Sequence, residues 1–191
     1  MSGGGGQAGF CGKLPSRGDH LALGLPRSFT VPWNAWLDAT LPAVRAELGE
    51  AWRDCWMEAP IWHFALPGGQ CGPACVLGVW MPSTDRVGRL FPLTLAWVAE
   101  DGAAPAADAD WRAAAEAAGL AALASDMAPE DLAARLAVAP SPGGETRFLE
   151  AACWRTEGAP RVPPTSLSLD RLPPPDILAG MLLAPQPETA P

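Results

Sequence analysis

GFCGKLPSRGDHLALGLPRSFTVPWNAW, residues 9–36, carries more local information than any other stretch of this chain. Phe10 to Leu14 reads as an edge strand, closed by Pro15, which has no donor, and by Gly18, which admits a turn with positive φ. The core Gly12-Lys13-Leu14-Pro15-Ser16-Arg17-Gly18-Asp19 sets two glycines, a proline and four polar side chains between apolar flanks, the composition of an exposed, shaped loop. Lys13, the only lysine in the chain, sits in it. After Pro32 the pattern turns helical.

Working outward, Leu37, Leu41, Val44, Leu48 and Trp52 recur at the three-and-four spacing that lines one helix face, with Asp38, Arg45, Glu47 and Arg53 off it. Pro42 removes a backbone bond in a helix interior but is welcome in a first turn. The expectation is therefore a short helix near 33–40 and a longer one near 41–57, with Thr40 as the second one's cap. Pro60–Pro67, Ala74–Met81 and Phe91–Val98 are strand candidates, rich in aromatic and branched residues and bounded by Gly or Pro. Gly68 to Pro73 would join the first two as a hairpin. Both faces of these segments are largely apolar, which calls for helices on both sides.

Ala103 to Asp110 reads as an Ala- and Asp-rich linker, Trp111–Ala124 and Pro129–Val138 as helices, Thr146–Arg155 as one more strand. Pro160–Pro175 is a proline-punctuated surface crossing and Asp176–Leu183 a last short helix. The fold expected is α/β: a single-domain three-layer sandwich, its central sheet mostly antiparallel or mixed, with helices on both faces. Residues 1–8 are expected to be a flexible Gly-rich lead with no signal-peptide character, 9–185 the one domain and 186–191 a loose tail.

A second loop, Met81-Pro82-Ser83-Thr84-Asp85-Arg86-Val87-Gly88-Arg89-Leu90-Phe91-Pro92, matches the first in character. In one reading Asp85 or Asp19 pairs with an arginine and locks the loops; in the other a guanidinium stays free to grip a partner's carboxylate or phosphate at two points. The candidate partner-binding or loop-locking residues are Lys13, Ser16, Arg17, Asp19, Ser83, Asp85, Arg86 and Arg89.

These stretches carry a resemblance. Gly9-Phe10-Cys11-Gly12-Lys13-Leu14-Pro15, Gly18-Asp19, Leu25-Pro26, Phe29, Trp33-Asn34-Ala35-Trp36-Leu37, Pro60-Ile61-Trp62-His63-Phe64, Pro82-Ser83, Asp85-Arg86-Val87-Gly88-Arg89 and Phe91-Pro92-Leu93-Thr94 follow one another in an order that resembles the TagF (ImpM) accessory proteins of bacterial type VI secretion, closely over the first half and loosely over the second, through the Trp154 region and Leu172-Pro173. The chain departs at Cys11 and Phe91, where an aromatic residue with a hydroxyl is usual, at His20 (usually Phe) and at Asn34 (usually Asp). The resemblance implies a cytoplasmic, non-catalytic, post-translational repressor of secretion-system assembly, acting by protein–protein binding, with a forkhead-associated scaffold protein as partner.

Composition is compatible with that role. The 191 residues suit one domain with a sizeable core. The net charge of −8 is uneven, with 13 acidic and 6 basic residues from Asp101 onward, and an acidic chain argues against nucleic acid as partner. The longest apolar runs fall short of the ~20 residues that cross a bilayer. Five scattered cysteines, Cys11, Cys55, Cys71, Cys75 and Cys153, suit reduced thiols better than a disulfide framework.

Three rival chemistries are weaker on sequence. Gly12-Lys13-Leu14 lacks the order of a phosphate-cradling loop. His63, Cys71 and Cys75 could ligate zinc, but their spacing is not that of a zinc module and no metal or cofactor is expected. Ser16, Asp19 and His20 are the residue types of a hydrolase triad, crowded too closely to converge in a line. A hydrolytic or metal-dependent enzyme built on Ser16, Asp19, Arg86 and Arg89, or a small anion-binding module, is the alternative. Trp33, Trp36, Trp52 and Trp56 fall at helical spacing and read as core, with at least one of the nine tryptophans expected at the surface.

Overall fold

The computed structural model describes residues 5–100 and 104–183. Its strands are β1 (Gly6–Gly12), β2 (Leu21–Leu23), β3 (Trp62–Leu66), β4 (Val76–Met81), β5 (Leu93–Ala99), β6 (Ala104–Ala107), β7 (Gly143–Arg147), β8 (Ala152–Thr156) and β9 (Thr165–Leu169). Its helices are α1 (Arg27–Leu48), α2 (Trp52–Met57), α3 (Ala109–Leu123), α4 (Pro129–Ala137) and α5 (Pro175–Leu182). Seven strands make one antiparallel sheet in the order β2-β1-β5-β4-β3-β8-β9, and β6 pairs with β7 apart from it.

The apolar character of both strand faces follows from two cores. Trp62, Phe64 and Leu66 of β3, with Val76 and Trp80 of β4, point to the layer that holds α1 and α5, where Phe29, Trp33, Leu178 and Met181 meet them. Leu77, Val79 and Met81 of β4, with Leu95 and Trp97 of β5, point to α3 and α4, against Trp111, Ala115, Ala122 and Leu132. Alternation at period two thus feeds a layer on either side. The first layer is aromatic: the Trp33 ring stacks on Phe64 at 5.0 Å between centroids, and Trp154 lies 4.9 Å from Phe64. Gly78, paired with Phe64 across β3 and β4, leaves the space the Phe64 ring fills, since a Cβ there would fall 2.1 Å from that ring.

Several expectations change. β1 is an interior strand, flanked by β2 and β5, because the chain folds back after the loop and Leu21–Leu23 covers what would have been an edge. It also starts at Gly6, so the end of the expected lead is sheet; residues 1–4 and 186–191 lie outside the described residues. The two expected helices near 33–40 and 41–57 are instead one continuous α1, a 3-10 turn at Gly49–Ala51 and a short α2. Pro42 is tolerated inside α1 because it lies on the exposed face, and Asp38, the residue whose carbonyl it cannot serve, is exposed as well. The break comes seven residues later at Gly49, at φ 54. Thr40 is therefore a buried interior residue and caps nothing.

In the second half, the expected linker contains β6, the expected strand 146–155 divides between β7 and β8, and the proline-punctuated crossing contains β9. The tryptophan expectation also fails: eight are buried and Trp36 is half-buried, its Nε1 donating to the Pro173 carbonyl at 2.9 Å. No helix among the described residues is long and apolar enough to cross a membrane.

Candidate functional site

β1 ends at Gly12, whose φ of +126 turns the chain out of the sheet at a point where a Cβ would fall 2.0 Å from the Pro92 carbonyl oxygen. This close approach sets the 13–19 loop beside the 82–92 loop. Lys13 N–H donates to the Pro92 carbonyl at 3.3 Å, Ser83 Oγ to the Lys13 carbonyl at 2.7 Å, and Arg86 N–H to the Arg17 carbonyl at 2.9 Å. The two loops form one surface.

Asp85 ties it. Its side chain is closed to solvent, and both carboxylate oxygens are doubly engaged. Oδ1 accepts from the backbone N–H groups of Val87 (3.0 Å) and Arg89 (2.9 Å), a turn held by its own aspartate. Oδ2 accepts from Lys13 Nζ (3.0 Å) and Arg89 Nε (2.5 Å). Burial alone would raise the pKa of this carboxyl. Hydrogen bonds from the Arg89 N–H, Lys13, the Arg89 guanidinium and the Val87 N–H outweigh burial and hold it well below the usual carboxylate range.

The remaining candidates divide into braces and free groups. Arg89 also donates through Nη2 to the Gly18 carbonyl at 2.6 Å, so it spans both loops. Ser83 is buried, and its carbonyl accepts from Trp56 Nε1 at 3.0 Å, tying the site to α2. Ser16 is buried as well, its Oγ donating to the Met127 carbonyl at 2.8 Å in the connection between α3 and α4. Arg17, Asp19 and Arg86 are exposed. Arg17 Nη1 reaches only the neighbouring Ser16 carbonyl, at 3.0 Å, and neither Asp19 nor Arg86 has a side-chain partner among the described residues. Of the second loop's two arginines, Arg89 is tied within the chain and Arg86 is exposed with no side-chain partner among the described residues.

The rival constellations are taken up elsewhere. His20 presents its ring edge-on to Phe91, centroids 5.2 Å apart. His63 Nε2 lies 2.5 Å from Glu116 Oε2 on α3, while Cys71 belongs to the opposite layer, its thiol 3.7 Å from the Phe29 carbonyl. Burial pushes the Cys71 thiol up to about 12 and the Cys75 thiol to about 11, so both stay protonated and apolar. Sequence reasoning missed the two anchors Trp56 and Met127. Trp56 was legible as a core residue but not as a donor, and a backbone carbonyl leaves no mark in a sequence.

Both loops lie within a stretch that matches a known family. Residues 9–139 match the TagF N-terminal domain, described as type VI secretion system-associated. The chain belongs to the TagF family. PA0076 from Pseudomonas aeruginosa PAO1, known from a crystal structure, is similar to this TagF chain over 96% of its length and 97% of that protein's, at 31% identity and a TM-score of 0.84. That similarity spans both layers and reaches past the matched domain into β8, β9 and α5. No curated protein matches the chain.

Proposed function

We propose that this TagF chain is a non-catalytic regulator of type VI secretion, acting in the cytoplasm as a post-translational repressor of assembly by docking a protein partner, the forkhead-associated scaffold of that system. The observation that carries the reading is the division of charge at the two loops. Asp85 is satisfied inside the chain by Lys13 and Arg89, and this stiffens a surface from which Arg17 and Arg86 project into solvent. A rigid frame lowers the entropy lost on association, and arginine is the cation most suited to two-point contact with a partner's carboxylate. Ser16 and Asp85 serve as braces, which favours docking over hydrolysis at this place.

The test is co-purification from cells carrying the secretion cluster. The double variant Arg17→Ala/Arg86→Ala keeps its fold and loses the scaffold protein. Undiminished capture of the scaffold by that variant, or turnover of generic ester or phosphate substrates that the variant abolishes, overturns the reading.

A further inference from the structure

Beside the loop pair lies an open groove of about 680 Å3, between α1, the start of α2 and residues 88–91. It has an apolar floor and a cationic rim. Leu41, Trp52 and Phe91 make the floor, and Arg45, Arg53 and Arg89 stand around it with Asp38 as the one acid. With Arg89 already paired to Asp85, Arg45 and Arg53 still outnumber Asp38, the reverse of the balance in a chain of net charge −8. Arg45 and Arg53 are exposed and have no ion pair among the described residues.

The pairing of floor and rim selects the kind of ligand. A small anion would use the rim alone. A peptide uses both: carboxylates on the arginines and an apolar side chain on the floor.

We propose that this groove is the docking site for an acidic peptide segment of the partner protein, with an apolar anchor residue over Leu41 and Trp52 and flanking carboxylates on Arg45, Arg53 and Arg89. It rests on the docking function proposed above and names the chemistry of what is docked. Electrostatic complementarity of this kind sets partner choice and association rate, and it weakens with salt.

The experiment pans the full chain against two displayed peptide libraries. One carries Asp and Glu around a central Leu, Phe or Trp, and the other carries Lys in place of the acids. Enrichment is expected from the acidic library only. The binding of the selected peptides should weaken as salt rises, and by about tenfold or more in Arg45→Glu/Arg53→Glu, whose thermal melting verifies the fold. Equal enrichment from both libraries, no enrichment from the acidic one, or hits that bind the charge-reversed variant unchanged would overturn the proposal. Scaffold capture is read separately. If Arg45→Glu/Arg53→Glu retains the scaffold while Arg17→Ala/Arg86→Ala loses it, the groove is not the site and the docking function stands. If acidic peptides bind at the groove and no variant or parent captures the scaffold, the groove stands and that partner is wrong.

Discussion

On one side of the 85–91 loop, Asp85 is paired with Lys13 and Arg89 within the chain; on the other, the guanidinium groups of Arg45 and Arg53 have no ion pair among the described residues. Arg89 belongs to both, with Nε and Nη2 bonded inward and 62% of its side chain exposed. The difference separates two uses of charge. A carboxylate closed to solvent is tolerable only with its donors in place, so it fixes geometry and makes each donor consequential for stability. A cation left in water adds little to folding and keeps its hydrogen-bonding capacity for another molecule.

The largest effect is expected from breaking the closed side. Asp85→Asn keeps the shape but turns an amide toward Lys13 and Arg89, leaving two cations without their counter-charge. Urea unfolding should show a loss of about 3–5 kcal/mol. A loss below ~1 kcal/mol would mean that the loops are held by their backbone bonds alone.

Acid probes the same carboxylate in the unaltered chain. The folded pKa of Asp85 lies below its unfolded value of about 3.9, so the unfolded chain takes up the proton first. The stabilisation is therefore complete above the unfolded value and is lost as pH falls through it toward the lower folded value. Unfolding followed from neutral pH into acid should show a decline in that window that Asp85→Asn lacks. Parallel pH profiles for the two proteins would contradict the geometry described here.

How much of this was legible in the sequence differs between the same two regions. The strands at 62–66, 76–81 and 93–99 and the helices at 109–123, 129–137 and 175–182 follow from local periodicity, and so do the two apolar layers. The helix at 27–48 was misread because Pro42 is judged by a local rule, whereas its cost depends on which side of the helix faces water. β6 was missed because Ala104–Ala107 has weak strand composition and owes its conformation to β7, far along the chain, whereas β9 pairs with the strand just before it and was hidden by the prolines around Thr165–Leu169. The loop residues were legible as candidates; which arginine would be tied was not, since both flank the turn at Gly88, at φ +81, and nothing local marks which side chain reaches Asp85. The groove needed α1 and the second loop side by side, and periodicity placed Arg45 and Arg53 only off the apolar face.

The smallest effect is also the one that separates the two arginines of a single loop. Arg89→Ala removes the bonds to Asp85 and Gly18, but its exposure moderates the loss, and Lys13 still neutralises the carboxylate; about 1 kcal/mol is expected from urea unfolding. Arg86→Ala removes a solvated group from the same turn while leaving the Arg86 N–H on the Arg17 carbonyl, so its stability should stay within ~0.5 kcal/mol of the parent. Arg89→Lys sharpens the contrast. An ammonium can reach either Asp85 or the Gly18 carbonyl but lacks the fork that serves both, so it should recover only part of what Arg89→Ala loses. If Arg86→Ala proves as destabilising as Arg89→Ala, the open arginine is a brace after all, and the surface offered to a partner shrinks to Arg17 and the groove.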